Sequence, residues 1–276
     1  LRRLGQAIAA AAGAGFGILV DSADAVGAAV VGCAPGANGL GAAAMVAQPR
    51  KAYVMLGVEP YLDAHDPMAT RQAMASAELV IALTAFKGSA PKYAHVMLPV
   101  AAFAETDGAY VSMEGCVQDF RAAVKPQGEA RPAWKVLRVL GNLLNLESFD
   151  YDSAEAVRAA ALPGGEAGVR ARLDNAAPAG DLRIAAAAEG LERLGETPIY
   201  EADSLVRRAP ALQATADSEH ARGCWLRGDS IQKLGLTEGR PVKIVQEHGE
   251  SIMKLGRDDR LAEGVELPDT VAYIDG

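Results

Sequence analysis

The chain has 276 residues, of which 50% are hydrophobic, 22% charged and 5% aromatic. This balance builds a core and excludes general disorder or collagen-like sequence, and the length suits one large domain or two ordinary ones. The net charge of −8 argues against nucleic acid as the partner, because duplex binding wants a basic face. About a fifth of the residues are Ala, so much of the apolar half buries little area per side chain. Cys33, Cys116 and Cys224 lie far apart, the four His are scattered, and no CxxC or HExxH occurs. That spacing disfavours a local zinc site, a cysteine-bound iron–sulfur cluster or a disulfide framework. Unstapled thiols suit a reducing compartment.

The first residue is Leu1, which reads as a fragment or a processed product. Arg2 and Arg3 before an apolar run to Val20 have the outline of a signal peptide. The run has no Leu-rich centre, so the preferred reading is a helix at Ala7–Ala12 and a buried strand at Gly17–Val20. No apolar run reaches the ~18 residues of a membrane-spanning helix. Ala52–Leu56 predicts a strand. Asp66 predicts an N-cap, with Pro67 at the first position of a helix running to about Ala77. Glu78–Leu83 and His95–Leu98 predict two more strands. Strands alternating with helices predict a parallel sheet with both faces covered.

A second helix is expected over Arg131–Leu146, with Trp134, Leu137, Gly141 and Leu144 on one face. Its large apolar side chains predict firm packing. Residues 151–195 are rich in Ala, Gly and charge and read as a surface linker with helical pieces. Residues 196–276 read as a separate unit. Asp229 is placed to cap a short helix ending at Leu234-Gly235, and strands are expected at Pro241–Val245, Ser251–Leu255 and Val265–Leu267. Short strands with Gly turns predict a small β-barrel. The domain expectation is therefore 1–150, a linker over 151–195, and 196–276.

Candidate chemistry is sparse. Gly13–Gly17 precedes a strand, the wrong order for a phosphate cradle. Gly36–Gly41 stands between Ala28–Val31 and an Ala-rich helix and suits an anion better. Glu59, Asp63, His65 and Asp66 follow the strand ending at Leu56, where open α/β sheets bind ligands. They lack a fixed metal spacing and read more simply as a polar loop with a helix cap. Glu105-Thr106-Asp107-Gly108, Glu114-Gly115 and Cys116 form a second cluster. A reactive thiol needs a nearby cation, and Arg121 is the near one in sequence. Lys125, Arg131, Lys135 and Arg138 read as a solvated face or a subunit contact. No catalytic, cofactor-binding or metal residue is assigned.

Several stretches resemble one family. KAYVMLGVEP (Lys51–Pro60), ELVIALTAF (Glu78–Phe86), HVMLPVAAFAETDG (His95–Gly108), EGCVQDF (Glu114–Phe120) and KPQGEARPAWKVLRVLGNLL (Lys125–Leu144) are similar to the C-terminal half of the G subunits of NADH-quinone oxidoreductase, respiratory complex I. DSLVRRAPALQAT (Asp203–Thr215) is similar to the same subunit in proteobacteria. The wider superfamily is that of the molybdopterin oxidoreductases. The resemblance implies nested α/β domains followed by a double-psi β-barrel, and it implies a scaffold kept without the molybdenum cofactor. It implies iron–sulfur clusters in a Cys-rich N-terminal region that this sequence lacks. Other peripheral-arm subunits would be the partners, with a peripheral place on the cytoplasmic face of the bacterial inner membrane. The alternative is a fragment of an active molybdopterin-dependent oxidoreductase, similar to formate dehydrogenase. One departure stands out: Ala109, Ser112 and Cys116 occupy positions where the superfamily pattern carries Thr, Asn and Arg. Losing that Arg removes a fixed cation able to grip a carboxylate or phosphate.

Overall fold

The computed structural model describes residues 2–20, 22–37, 39–174, 199–246, 249–261 and 271–273. The chain divides into two compact units, Leu1–Leu182 and Arg183–Gly276.

The first unit opens with three helices, α1 (Arg2–Ala12), α2 (Ala25–Val30) and α3 (Ala42–Ala47). The strand expected at Gly17–Val20 is absent. Leu19 is 87% exposed and Ile18 and Val20 are also open to solvent. Phe16 instead folds back onto Gly5 of α1, in the space a Cβ would take. The chain therefore returns along the helix rather than entering a sheet.

A parallel three-stranded sheet follows, in the order β1 (Ala52–Leu56), β2 (Leu79–Thr84), β3 (Val96–Pro99). This is the parallel sheet that the alternation of strands and helices predicts. Short α4 (Pro60–Asp63) and α5 (Pro67–Ala75) make the first crossover. Asp66 caps α5 as expected: its Oδ1 accepts the Ala69 N–H at 2.9 Å, and Pro67 occupies the first turn without losing a bond. One sheet face, carrying Tyr53, Val80 and Ala82, is buried against Ala73 and Met74 of α5. The Tyr53 hydroxyl ties that layer to α3, donating to the Met45 carbonyl at 2.9 Å and accepting the Arg50 N–H at 2.8 Å.

The other face differs from expectation. Val54, Ile81 and Val96 stand in register across the three strands, yet Val54 is 54% exposed, and Leu56, Leu79 and Val96 are exposed beside it. Parallel strands are apolar on both sides because both sides are normally covered. Among the described residues that second side is covered only in part: Leu83, on the same face as Leu79 and Ile81, is fully buried.

Beyond β3, Arg131 forms a parallel bridge to Val100, and the Ala101 N–H donates to the Arg131 carbonyl at 2.8 Å. A hairpin of β4 (Gly108–Val111) and β5 (Val117–Phe120) precedes it. Helix α6 (Ala133–Leu143) follows. Gly141 is its one buried residue and lies under the Phe149 ring. Trp134 and Leu137 are half-buried on the same side. Leu144 is not: it sits at the C-cap and is exposed, as are Val139, Leu143 (75%) and Leu146. Firm packing thus stops at Gly141, because nothing described lies over the rest of the ridge.

Two helices then complete this unit, α7 (Ala154–Ala161) and α8 (Gly165–Arg170). Ser153 caps α7 by accepting the Ala156 N–H at 3.1 Å. Leu162 and Val169 are buried with Val111 of the hairpin. The described part of 151–174 is therefore part of a core, although its composition suggested a loosely held linker.

The second unit has α9 (Pro210–Gln213), α10 (Ala216–His220), β6 (Cys224–Leu226), α11 (Gly228–Lys233), β7 (Pro241–Gln246), β8 (Gly249–Arg257) and β9 (Val271–Tyr273). The strands form one mixed sheet, ordered β6-β8-β7-β9, parallel between β6 and β8 and antiparallel elsewhere. Leu226, Ile231, Val242 and Leu255 make its core. Strands appear where the sequence placed two of them; Val265–Leu267 lies outside the described residues. Arg227, not Asp229, occupies the N-cap of α11. Asp229 accepts the Ser230 N–H at 3.0 Å and pairs with Arg227, while Asp259 receives the Gly228 N–H at 2.9 Å.

Candidate functional site

The β4–β5 hairpin gathers the second cluster of candidate residues. Glu105 closes a short turn by accepting the Ala102 N–H at 3.0 Å. Asp107 accepts the Ala122 N–H at 2.8 Å, across the base of the hairpin. Gly108 pairs with Phe120, whose ring occupies the space of the missing Cβ. That ring also stacks on Tyr110, with centroids 5.2 Å apart. At the tip, the Ser112 hydroxyl accepts the Glu114 N–H (3.3 Å) and the Cys116 N–H (3.2 Å). Gly115 has φ +83°, which an L side chain rarely adopts, and a Cβ there would also meet Arg170.

Cys116 does have a cation beside it, but not the one nearest in sequence. Arg170 of α8 reaches its Sγ at 3.3 Å while pairing with Glu166 at 2.9 Å. Arg121 turns the other way, to Glu155 of α7. Arg158 of α7 pairs with Asp119 of β5 at 2.6 Å. Strand and helix thus exchange two ion pairs, each contributing one carboxylate and one guanidinium. The Arg158 hydrogen bond holds the Asp119 carboxyl below the usual range. A backbone hydrogen bond and then Arg121 do the same for Glu155.

Beneath this seam lies a cavity of about 330 Å³ within the first unit. Its walls are Gly27 and Ala28 of α2 with Val31 at its C-terminal end, Gly108, Ala109, Val111 and Phe120 of the hairpin, Trp134 of α6 and Val157, Ala161 and Leu162. Asp24, Asp107, Asp119, Glu155, Arg121 and Arg158 supply its charges.

The remaining candidates do not join it. Gly36–Gly41 follows a helix, since Ala25–Val30 is α2 and not a strand, and α3 behind it has only six residues. The strand that must precede a dinucleotide cradle is missing. Asp66 is committed to its cap, and the Asp63 carboxylate accepts the Glu59 N–H at 2.6 Å. His65 is exposed, and Glu59 is buried. The Tyr93 hydroxyl nearby has its pKa raised by burial and then by Glu59. Lys125, Arg131 and Lys135 are exposed, while Arg138 is half-buried, with Asp152 at 4.0 Å. Among the described residues, no group of three His, Cys, Asp or Glu is placed to hold a metal ion. No described helix is long and apolar enough to cross a membrane.

Residues 4–143, half of the chain, match the model of the molybdopterin oxidoreductases. The chain belongs to the molybdopterin oxidoreductase family. Among curated relatives, it is 36% identical over 104 residues to the NADPH-Fe(3+) oxidoreductase subunit alpha of Geobacter sulfurreducens, covering 38% of this chain and 12% of that protein. It is 27% identical over 235 residues to the NADH-quinone oxidoreductase G subunit of Streptomyces coelicolor, covering 81% of this chain and 26% of that one. This family member therefore spans between about a tenth and a quarter of those relatives' lengths. Its fold is similar to that of acetylene hydratase from Pelobacter acetylenicus, with a TM-score of 0.56, 16% identity, and coverage of 80% of this chain and 38% of that one.

Molybdopterin is the cofactor that family membership raises. It is an anionic, phosphate-bearing group, so it needs uncommitted cations or converging N–H groups. The hairpin and its cavity do not fit it. Arg121, Arg158 and Arg170 each already hold a carboxylate, and the cavity carries four carboxylates against two guanidinium groups. Sequence reasoning marked Cys116 as a thiol in need of a nearby cation, and Arg170 is the one it meets. The crossed ion pairs were beyond it, since Asp119 and Glu155 are 36 residues apart and nothing local marks them as neighbours.

Proposed function

We propose that this chain is a structural and assembly segment of NADH:quinone oxidoreductase, part of a protein similar to the G subunits of that complex, with no active site of its own. The complex passes electrons from NADH to quinone, coupled to ion translocation. In this reading the redox clusters lie in other regions and subunits, and the segment supplies packing surface in the peripheral arm at the cytoplasmic face of the membrane. The observation that carries the reading is the uncovered apolar surface. Val54, Leu56, Leu79 and Val96 on the sheet, Val139 and Leu143 on α6, and Leu146 just beyond it are too many for ordinary solvent-facing positions. Clusters of exposed large apolar side chains are what interaction surfaces carry. Similarity to the Streptomyces coelicolor protein over 81% of the chain adds support, as does the poor fit of the hairpin to an anionic cofactor. The second unit would complete the double-psi barrel of the family.

The test is twofold. Purified chain should carry no stoichiometric molybdenum, iron or pterin fluorescence, and co-expression with the neighbouring peripheral-arm subunits should give a stable complex. The double variant Val54→Asp/Leu143→Asp should lose that complex while remaining folded. Stoichiometric molybdenum with pterin would overturn the proposal in favour of an active molybdopterin-dependent oxidoreductase fragment.

A further inference from the structure

We infer that the cavity between α2, the hairpin and α7 binds a small organic cation: an ammonium or amidinium group on a compact apolar body. The inference is independent of any role in a respiratory complex.

Shape comes first. At about 330 Å³ the cavity lies in the lower part of the range that holds small molecules. Val31, Val111, Leu162 and the aromatic side chains of Phe120 and Trp134 form its walls. An apolar body gains by leaving water there.

Charge decides the sign of the ligand. The two guanidinium groups are already taken, Arg121 by Glu155 and Arg158 by Asp119. An anion would have to break one of those pairs and leave a carboxylate beside it. Asp24 and Asp107 remain. Asp107 accepts only a backbone N–H, from Ala122, and Asp24 accepts only the Ser22 hydroxyl at 2.8 Å. Among the described residues neither carboxylate meets a cation. They sit on different elements, α2's N-terminal end and the start of β4, and both line this one cavity. A cationic head entering here meets carboxylates without displacing any existing partner, and charge-assisted hydrogen bonds to them are the strong kind.

The experiment uses the full chain and three probes of one shape: phenethylamine, the neutral 2-phenylethanol, and the anionic phenylacetate. Binding is followed by the amide and indole N–H resonances of Trp134, Ala109 and Phe120. The amine should shift these signals saturably and bind at least about tenfold more tightly than the alcohol. Phenylacetate should give no saturable shift. Asp107→Asn keeps the acceptor for the Ala122 N–H, and Asp24→Asn leaves the hairpin untouched. Each should weaken the amine by about tenfold and leave the alcohol unchanged. Equal binding of amine and alcohol, tighter binding of the acid, or unchanged amine affinity in both folded variants would overturn the inference. So would the absence of any saturable shift at millimolar amine.

Discussion

Single residues in this chain are most informative where they carry charge. The folded-state pKa values of Asp119 and Glu155 lie below their ordinary values because Arg158, backbone groups and Arg121 favour the ionised forms. A carboxyl group with a lowered folded pKa stabilises the fold above its unfolded pKa, and that contribution is lost as pH falls through the lowered value. The β5–α7 seam should therefore weaken only in acid. Unfolding midpoints measured from pH 7 downward should fall more steeply in the parent than in Asp119→Asn. In the second unit, Arg260 holds the Asp258 carboxyl down at about 2. Its NMR titration should be among the last of the carboxyls to finish on acidification. Gly141 gives a steric prediction. A Cβ there enters the Phe149 ring, so Gly141→Ala should destabilise by about 1–3 kcal/mol, as overpacking does. Denaturant unfolding checks it.

At the scale of elements, local signals performed unevenly. Strands β1, β2 and β3 and the start of α5 were legible, because contiguous apolar runs and an Asp-Pro cap need only their own neighbours to declare themselves. Asp66→Ala should cost about 1 kcal/mol, the usual worth of such a cap, read from the denaturation midpoint. The strand expected at Gly17–Val20 failed because a hydrophobic triplet cannot say whether a sheet edge is within reach. The capping role expected of Asp229 was misplaced, since Arg227 takes the N-cap and Asp229 turns to Ser230. Helices α7 and α8 looked like linker because Ala and Gly dominate them, yet Leu162 and Val169 are buried with Val111 of the hairpin.

For the molecule as a whole, surface matters more than core. The sheet face of Val54 and the α6 ridge of Leu143 expose apolar area that a self-sufficient domain would cover. The isolated chain should self-associate at micromolar concentration, and Val54→Asp/Leu143→Asp should shift sedimentation towards monomer. Unchanged sedimentation would show that these faces are not sticky, which would remove the main support for an assembly role.

Apolar runs and turn residues, read alone, determined a parallel sheet and the cap of α5, and whole matching stretches of sequence carried a family resemblance that the family match over residues 4–143 bears out. These are properties of neighbours along the chain. Pairing across distance was decided only by the tertiary structure. It brought Arg170, rather than Arg121, to Cys116, crossed Asp119 and Glu155 with two guanidinium groups, and set Asp24 and Asp107 around one cavity. Those placements depend on how α2, α7 and α8 close over the hairpin, which no spacing within a single segment encodes.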